Sequence, residues 1–192
     1  MEVYTGEKPA IGRRAWLAAV LLMVIVTTLA GGMTWRRSED SLAARVTPAG
    51  WSISFCPPRR FQESELGPTM LGSAFRFRGW SAGGAAALLA VHRLDRWRVQ
   101  DSLAACDLVL SAHVAPTLPD SMTTRETQFN KKLGPFEAVE VHDPFIGVVV
   151  RAAVLENGEA YAVSLGVDGP VIDDRSYRAF DLTCGSIMYH EH

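Results

Sequence analysis

The chain of 192 residues is poor in the motifs that mark several common functions. Its three cysteines, Cys56, Cys106 and Cys184, form no CxxC pair and match no zinc-site spacing. The phosphate-binding pattern GxxxxGKS/T and the dinucleotide-binding pattern GxGxxG are both absent. These absences argue against a zinc domain and against the two commonest nucleotide-binding loops, and no cofactor is predicted.

The sequence also has no excess of positive charge. The sequence holds 19 lysines and arginines against 21 aspartates and glutamates, which gives a net charge of −2. Nucleic-acid binding requires clustered basic side chains, so no nucleic-acid partner is predicted. The densest basic group consists of Arg76, Arg78, Arg93, Arg96 and Arg98. It is either a solvated strand face or, if its two segments pair, a surface for an anionic partner or lipid headgroups.

One long uncharged run, Ala15–Trp35, stands out near the N terminus, with two arginines on each side. A run of 21 apolar and small residues is long enough to cross the roughly 30 Å hydrocarbon core of a bilayer as one helix. It therefore predicts a single-pass anchor after a short N-terminal tip, residues 1–14. The residues assigned to the anchor are Trp16, Leu21, Leu22, Val24, Ile25, Val26, Leu29 and Trp35.

A cleaved signal peptide is the alternative interpretation of this run. Thr28, Leu29 and Ala30 before Gly31 form an acceptable cleavage site, but the run is longer than the 7–15 residues of an ordinary signal core. An uncleaved anchor is therefore favoured. Three basic residues precede the run and three follow it before the domain, so loop charge does not fix the orientation. Because long C-terminal domains are exported largely regardless of charge, the globular domain is expected outside the cytoplasm.

The rest of the chain predicts a linker over residues 36–49 and one α+β domain over residues 50–192. About 145 residues suit a single domain with its own core. Alternating apolar residues and turn signals predict an antiparallel sheet, and helical spacing predicts two helices that sandwich it. Residues 59–72 are predicted to be a loop. The predicted strands are 51–55, 73–78, 85–94, 122–129, 136–141, 146–155 and 161–165, and the predicted helices are 101–113 and 173–189.

Few residues suggest chemistry in this domain. His142 and Asp143 are adjacent and form a possible acid–base pair, with Cys56 as a distant thiol, but no motif supplies a partner nucleophile. His190 and His192 end the chain, where ligands are rarely held firmly enough for a metal. His92 lies in a predicted strand and is expected to be structural. No residue is assigned a catalytic, cofactor-binding or metal-binding role.

The three cysteines have two interpretations. Buried or half-buried free thiols are favoured, because unpaired cysteine is among the most buried residue types. One disulfide with one thiol left over is the alternative outside the cytoplasm.

The two ends of the predicted domain carry a common pattern. A glycine and aromatic strand is followed by a proline, and a closing strand leads into an amphipathic helix; the residues are Gly50–Phe55, Pro57, Tyr161–Leu165, Tyr177, Phe180 and Ser186. This pattern resembles the superfamily that contains PsbP, the extrinsic photosystem II subunit, and the Mog-type Ran-binding proteins. The resemblance implies an α/β/α sandwich that serves as a binding or assembly module, and it carries over no functional residue.

Together these features favour a membrane-tethered, non-catalytic binding or assembly module whose partners are the lipid bilayer and a protein of unknown identity. Two alternatives stay open. A small enzyme with its site near His142 and Asp143 requires a deep pocket with convergent titratable groups. A hydrophobic-ligand carrier requires a sizeable cavity between the sheet and the helices.

The anchor gives the first testable prediction. The full chain should sediment with membranes after cell fractionation, because an uncleaved apolar helix does not leave the bilayer. Protease added to spheroplasts should digest the domain if it lies outside the cytoplasm. A domain that is protected and stays with the cytoplasmic face would contradict the predicted orientation, and an intact soluble chain would contradict the anchor.

Overall fold

The structure is a computed structural model of the chain, and it describes residues 21–23, 25, 41–69, 71–113, 125–169 and 171–191. Two compact units are present, Met1–Glu39 and Asp40–His192. In the first unit, Leu21–Met23 and Ile25 are helical and exposed. Across the described residues, no helix is both long and apolar enough to cross a membrane. The remaining anchor residues, Trp16, Val24, Val26, Leu29 and Trp35, lie outside the described residues.

The second unit is an α+β domain. Its strands are β1 Ile53–Ser54, β2 Gln62–Thr69, β3 Gly72–Trp80, β4 Ala86–Leu94, β5 Glu126–Leu133, β6 Phe136–Asp143, β7 Val148–Val154, β8 Ala160–Val167 and β9 Met188–Tyr189. Its helices are α1 Ser102–His113 and α2 Asp174–Gly185, with a short 3-10 helix at Arg96–Arg98.

Seven strands form one antiparallel sheet in the order β2-β3-β4-β8-β7-β6-β5, and β1 pairs with β9 in a separate ribbon. Helix α1 packs on one face of the sheet, mainly on β6, β7 and β8, and α2 packs on the opposite face. The α+β prediction of an antiparallel sheet with helices on both faces is therefore confirmed for the described part of the domain.

The two faces of the sheet carry different cores. On the α2 side, large aromatic rings interlock: Trp51 meets Phe75 edge-on at 5.5 Å, and Phe55 meets Phe77 at 6.1 Å. On the α1 side, the contact is made by small and branched side chains such as Val109, Val150, Ala152 and Ala162. Because alternate strand residues point to opposite faces, one strand supplies both cores.

Several predictions that rest on local sequence signals are confirmed. The segments 73–78 and 85–94 do form a β-hairpin, with Phe77 opposite Leu89. Asp101 caps α1 by accepting a hydrogen bond from the Ala104 N–H at 2.8 Å. Asp173 caps α2 in the same way through the Ser176 N–H at 2.9 Å. In each case a carboxylate satisfies a backbone donor that has no partner within the helix.

Other expectations were wrong, and tertiary pairing explains why. The predicted loop 59–72 contains β2, which tolerates its Gly67–Pro68 pair because it is an edge strand, where a missing N–H costs no ladder bond. The predicted C-terminal helix ends at Gly185 rather than Tyr189, since Met188 leaves the helix and pairs with Ser54. Within α1, Leu103 is 37 % exposed, whereas Ala105 is fully buried.

The compact domain begins earlier than the predicted start at residue 50. Val46 bridges to Phe55, and the Ala43 N–H donates to the Pro57 carbonyl at 2.7 Å. Arg45 reaches across to the end of α2 and donates to the Ser186 carbonyl at 2.9 Å. Most of the predicted linker is therefore part of the fold.

A glycine at the β5–β6 turn gives a prediction about stability. Gly134 has a φ of 59°, and a Cβ there would collide with the Ile187 carbonyl oxygen. Left-handed backbone costs an alanine about 1–2 kcal/mol, and overpacking adds about 1–3 kcal/mol. Gly134→Ala should therefore lower the free energy of unfolding by about 2–5 kcal/mol, measured by chemical denaturation.

Gly50→Ala is the matched control. Its φ is 75°, but no atom lies within 4 Å of the added Cβ. This variant should lose only the backbone contribution of about 1–2 kcal/mol. Equal losses for the two variants would show that the contact between Gly134 and Ile187 does not constrain the fold.

Candidate functional site

A cavity of about 710 Å³ lies at the end of the sheet where β3 and β8 end and β4 begins. This volume falls in the range of about 300–1,000 Å³ that is usual for small-molecule sites. Its apolar floor consists of Leu88, Ile146, Val148 and Gly166, and its polar or exposed rim consists of Arg60, Gln62, Arg78, Trp80, His113 and Asp168.

The floor is open because β8 has no side chain at Gly166. A Cβ at this position would lie 3.6 Å from the Val148 Cγ2 atom and 3.8 Å from the His113 Nδ1 atom. Both are ordinary van der Waals distances, so a Cβ fits here, and any side chain at this position would take up space at the floor of the cavity. Gly166 thus controls the volume of the site without being required by the backbone of β8.

The rim combines two arginines, one carboxylate and one imidazole. Arg60 is held by its Nη2 atom, which donates to the Arg175 carbonyl at 2.8 Å. Burial and the nearby Arg76 guanidinium lower the pKa of His113, so its imidazole is neutral at pH 7. Arg78 is exposed, and Trp80 beside it is 67 % exposed. The charged rim therefore carries one more positive than negative group.

A buried His–Ser contact lies on the same face of the sheet as Gly166. His92 Nε2 is 2.9 Å from Ser164 Oγ, and both residues are shielded from solvent. Burial, with smaller effects from His113 and Arg76, lowers the pKa of His92 to about 3. His92 is therefore neutral at any physiological pH.

This contact has the distance of a catalytic nucleophile and base but lacks the rest of the arrangement. In the described residues, no group bonds to His92 Nδ1, which in a catalytic triad is held by an acid. The tautomer that leaves no buried N–H without an acceptor carries its proton on Nε2 and donates to Ser164 Oγ. That tautomer cannot accept the serine proton, so we interpret the pair as structural.

A second serine lies in the pattern GxSxG at Gly79–Gly83. In α/β-hydrolases this pattern places a nucleophile at a sharp strand-to-helix turn. Here it spans the turn of the β3–β4 hairpin, and Ser81 Oγ accepts a hydrogen bond from the Ala85 N–H at 3.0 Å. The hydroxyl therefore stabilises a turn between two strands and is not presented as a nucleophile.

The predicted His142–Asp143 pair is not brought together. The two residues are neighbours in β6, so their side chains lie on opposite faces of the sheet. Asp143 Oδ1 accepts hydrogen bonds from the Phe145 and Ile146 N–H groups at 3.1 and 3.3 Å, which shapes the β6–β7 turn. Cys56 is held elsewhere, with its N–H donating to Ser186 Oγ at 2.8 Å.

The basic group predicted from the sequence is also divided. Arg76 and Arg78 lie on the α1 face of β3, whereas Arg93 lies on the α2 face of β4. Arg93 donates to the Gly50 carbonyl at 2.6 Å and pairs with Glu159 at 3.2 Å. Only Arg78 of this group reaches the rim of the cavity.

Two of the three cysteines, Cys106 and Cys184, are buried thiols rather than reactive groups. All three are free, and Cys106 and Cys184 are fully buried. Burial raises the pKa of Cys106 to about 12 and also raises that of Cys184. Because the thiolate is the reactive form, neither is suited to nucleophilic chemistry. At the C terminus, His190 Nε2 contacts Ser54 Oγ at 2.7 Å, and the described residues contain no group of side chains able to hold a metal.

No protein-family model and no curated protein matches the chain. The chemistry of the cavity must therefore carry the functional argument. Sequence reasoning missed this site because its residues come from six separate elements. Two signals were present: Gly166 interrupts a mostly apolar strand, and Trp80 follows two residues after Arg78 at the end of its strand.

The buried His92 predicts a pH dependence of stability. Its pKa is about 3 in the folded domain and 6.5 in the unfolded chain, so the unfolded chain binds a proton that the folded domain does not. The contribution of neutral His92 to the free energy of unfolding is complete above pH 6.5 and is lost progressively as the pH falls towards 3. Between pH 7 and 5 this residue should account for a loss of about 2 kcal/mol.

His92→Gln removes this titration while keeping an amide that can bond to Ser164. Denaturation of both proteins at pH 7 and pH 5 should show a smaller loss in the variant by about 2 kcal/mol. The comparison uses the change with pH, so a lower overall stability of the variant does not affect it. Identical losses would mean that His92 is protonated in the folded domain.

Proposed function

We propose that this protein is a membrane-tethered, non-catalytic binding module that holds a small molecule in the cavity between Arg78 and Gly166. The cavity itself is the observation that carries the proposal. It combines an apolar floor with a few polar groups at the rim, which is the usual composition of a ligand site.

A binding role is supported over catalysis by the placement of the reactive groups. Ser164 and His92 are closed to solvent, and Ser81 is held in a turn. His142 and Asp143 point away from each other. A catalytic site needs a nucleophile and a base within reach of the same substrate, and this cavity offers one neutral histidine.

The tether rests on the sequence of Ala15–Trp35 and on the expected placement of the domain outside the cytoplasm. The resemblance to the PsbP and Mog-type superfamily supports a binding role and, with the proposed tether, a site of action close to the bilayer. A protein partner is part of this proposal, because such modules commonly present a ligand or a surface to another component.

A hydrophobic-ligand carrier is the second candidate. The apolar floor favours it, since Leu88, Ile146 and Val148 offer no hydrogen bonds and suit an uncharged body. A carrier differs from a fixed binding module in releasing its ligand to an acceptor, whereas both functions require the same cavity.

The cavity predicts that the protein retains a small molecule during purification. The full chain, extracted in detergent, should yield that molecule by mass spectrometry of the denatured sample. Gly166→Val should yield at least tenfold less, because its Cβ fits at ordinary contact distances and its two methyl groups add bulk at the floor.

Gly185→Ala serves as the control, because it adds a side chain in open space at the end of α2. It should retain the molecule at the level of the unchanged chain. Recovery of the same molecules from Gly166→Val would place them outside the cavity, and recovery of none from the unchanged chain would contradict the proposal.

A further inference from the structure

We infer that the ligand of this cavity is a monoanionic amphiphile, a carboxylate with one alkyl chain, whose head binds Arg78 and whose chain lies along the floor. This inference rests on the proposed binding function and adds the chemical class of the ligand. The charge of the rim and the apolar floor each support it.

The head group is specified by Arg78. This guanidinium is exposed at the rim and makes no ion pair or hydrogen bond with any described residue. Arg93 and Arg151, by contrast, form ion pairs with Glu159 and Glu140. A guanidinium presents parallel N–H donors that match a carboxylate. Arg78 is therefore the rim group that a ligand anion can satisfy.

The single negative charge is specified by Asp168. This carboxylate also lines the cavity and forms no ion pair within the described residues. It repels a second negative charge on a bound head group. His113 adds no positive charge at pH 7, because burial and Arg76 lower its pKa. The rim thus suits a carboxylate better than a doubly charged phosphate monoester.

The apolar part of the ligand is specified by the floor and by Trp80. Leu88, Ile146 and Val148 line the floor, and Gly166 leaves room above them. Trp80 stands at the mouth with most of its ring exposed, although burying such a ring is favourable. An alkyl chain that passes Trp80 would cover this ring and the floor together.

The test uses the full chain in nanodiscs of phosphatidylcholine and measures binding of radiolabelled decanoate, with empty nanodiscs subtracted. We expect saturable binding of decanoate, weaker binding of decanol, and no saturable binding of decylamine. Arg78→Gln should weaken decanoate binding about ten- to a hundredfold, the usual effect of losing a charge-assisted hydrogen bond. Arg98→Gln removes an equal charge from the 3-10 helix and should leave binding unchanged.

Asp168→Asn tests the preference for one negative charge. The unchanged chain should not bind decyl phosphate at pH 8, and Asp168→Asn should bind it while still binding decanoate.

Labelled palmitate in donor vesicles distinguishes the source of the ligand. Transfer from vesicles to the protein indicates a ligand taken from the bilayer, whereas binding of decanoate without palmitate transfer indicates a soluble carboxylate.

Two results would overturn the inference. Equal binding of decanoate, decanol and decylamine, or binding unaffected by Arg78→Gln, would mean that the cavity recognises only apolar bulk. Decanoate binding unaffected by Gly166→Val would place the amphiphile outside the cavity. If decanoate fails to bind while Gly166→Val still abolishes retention of a native molecule, the binding function stands and the ligand class is wrong.

Discussion

The buried ion pair between Arg151 and Glu140 links helix α2 to the sheet beneath it. Arg151 donates to Glu140 at 2.6 and 2.8 Å, to Asp181 of α2 at 2.8 Å and to the Lys132 carbonyl of β5 at 3.1 Å. Burial disfavours its charge, but these acids outweigh that effect and raise the pKa of Arg151. Tyr177 completes the cluster by donating to Glu140 at 2.8 Å. One guanidinium therefore fixes α2 over three strands, and losing it would leave the buried Glu140 carboxylate with only Tyr177 and the more distant Lys131 as partners.

The ion pair lies on the α2 side of the sheet, whereas the cavity lies on the α1 side. The ion pair and the interlocking rings of Trp51, Phe55 and Phe75 lie on the α2 side. The α1 side is held by small side chains, and at its end the floor is open at Gly166. A ligand that enters there meets groups at the rim without disturbing the aromatic core. The scaffold on the α2 side is thus complete without the cavity, which remains accessible on the α1 side.

The sequence predicted the local features better than the long-range ones. Apolar alternation at Phe75 and Phe77 predicted a strand, and Asp101 and Asp173 predicted helix starts, because these signals depend on neighbours in the chain. The edge strand β2 and the pairing of Met188 with Ser54 depend on distant partners, which alternation does not encode. The cavity was beyond prediction for the same reason, since its floor and rim meet only after the sheet has formed. The pairing of Glu140 with Arg151 likewise depends on the register of β6 and β7, which the sequence does not show.

The open position at Gly166 also has an evolutionary consequence. A site shaped by a missing side chain can be resized by single changes, from glycine to alanine to valine, at a strand position with a regular backbone and room for a Cβ. Such substitutions would reduce the space for a ligand and would leave the aromatic core on the α2 side unchanged. A single substitution at this position would therefore change the volume of the cavity without any change of fold.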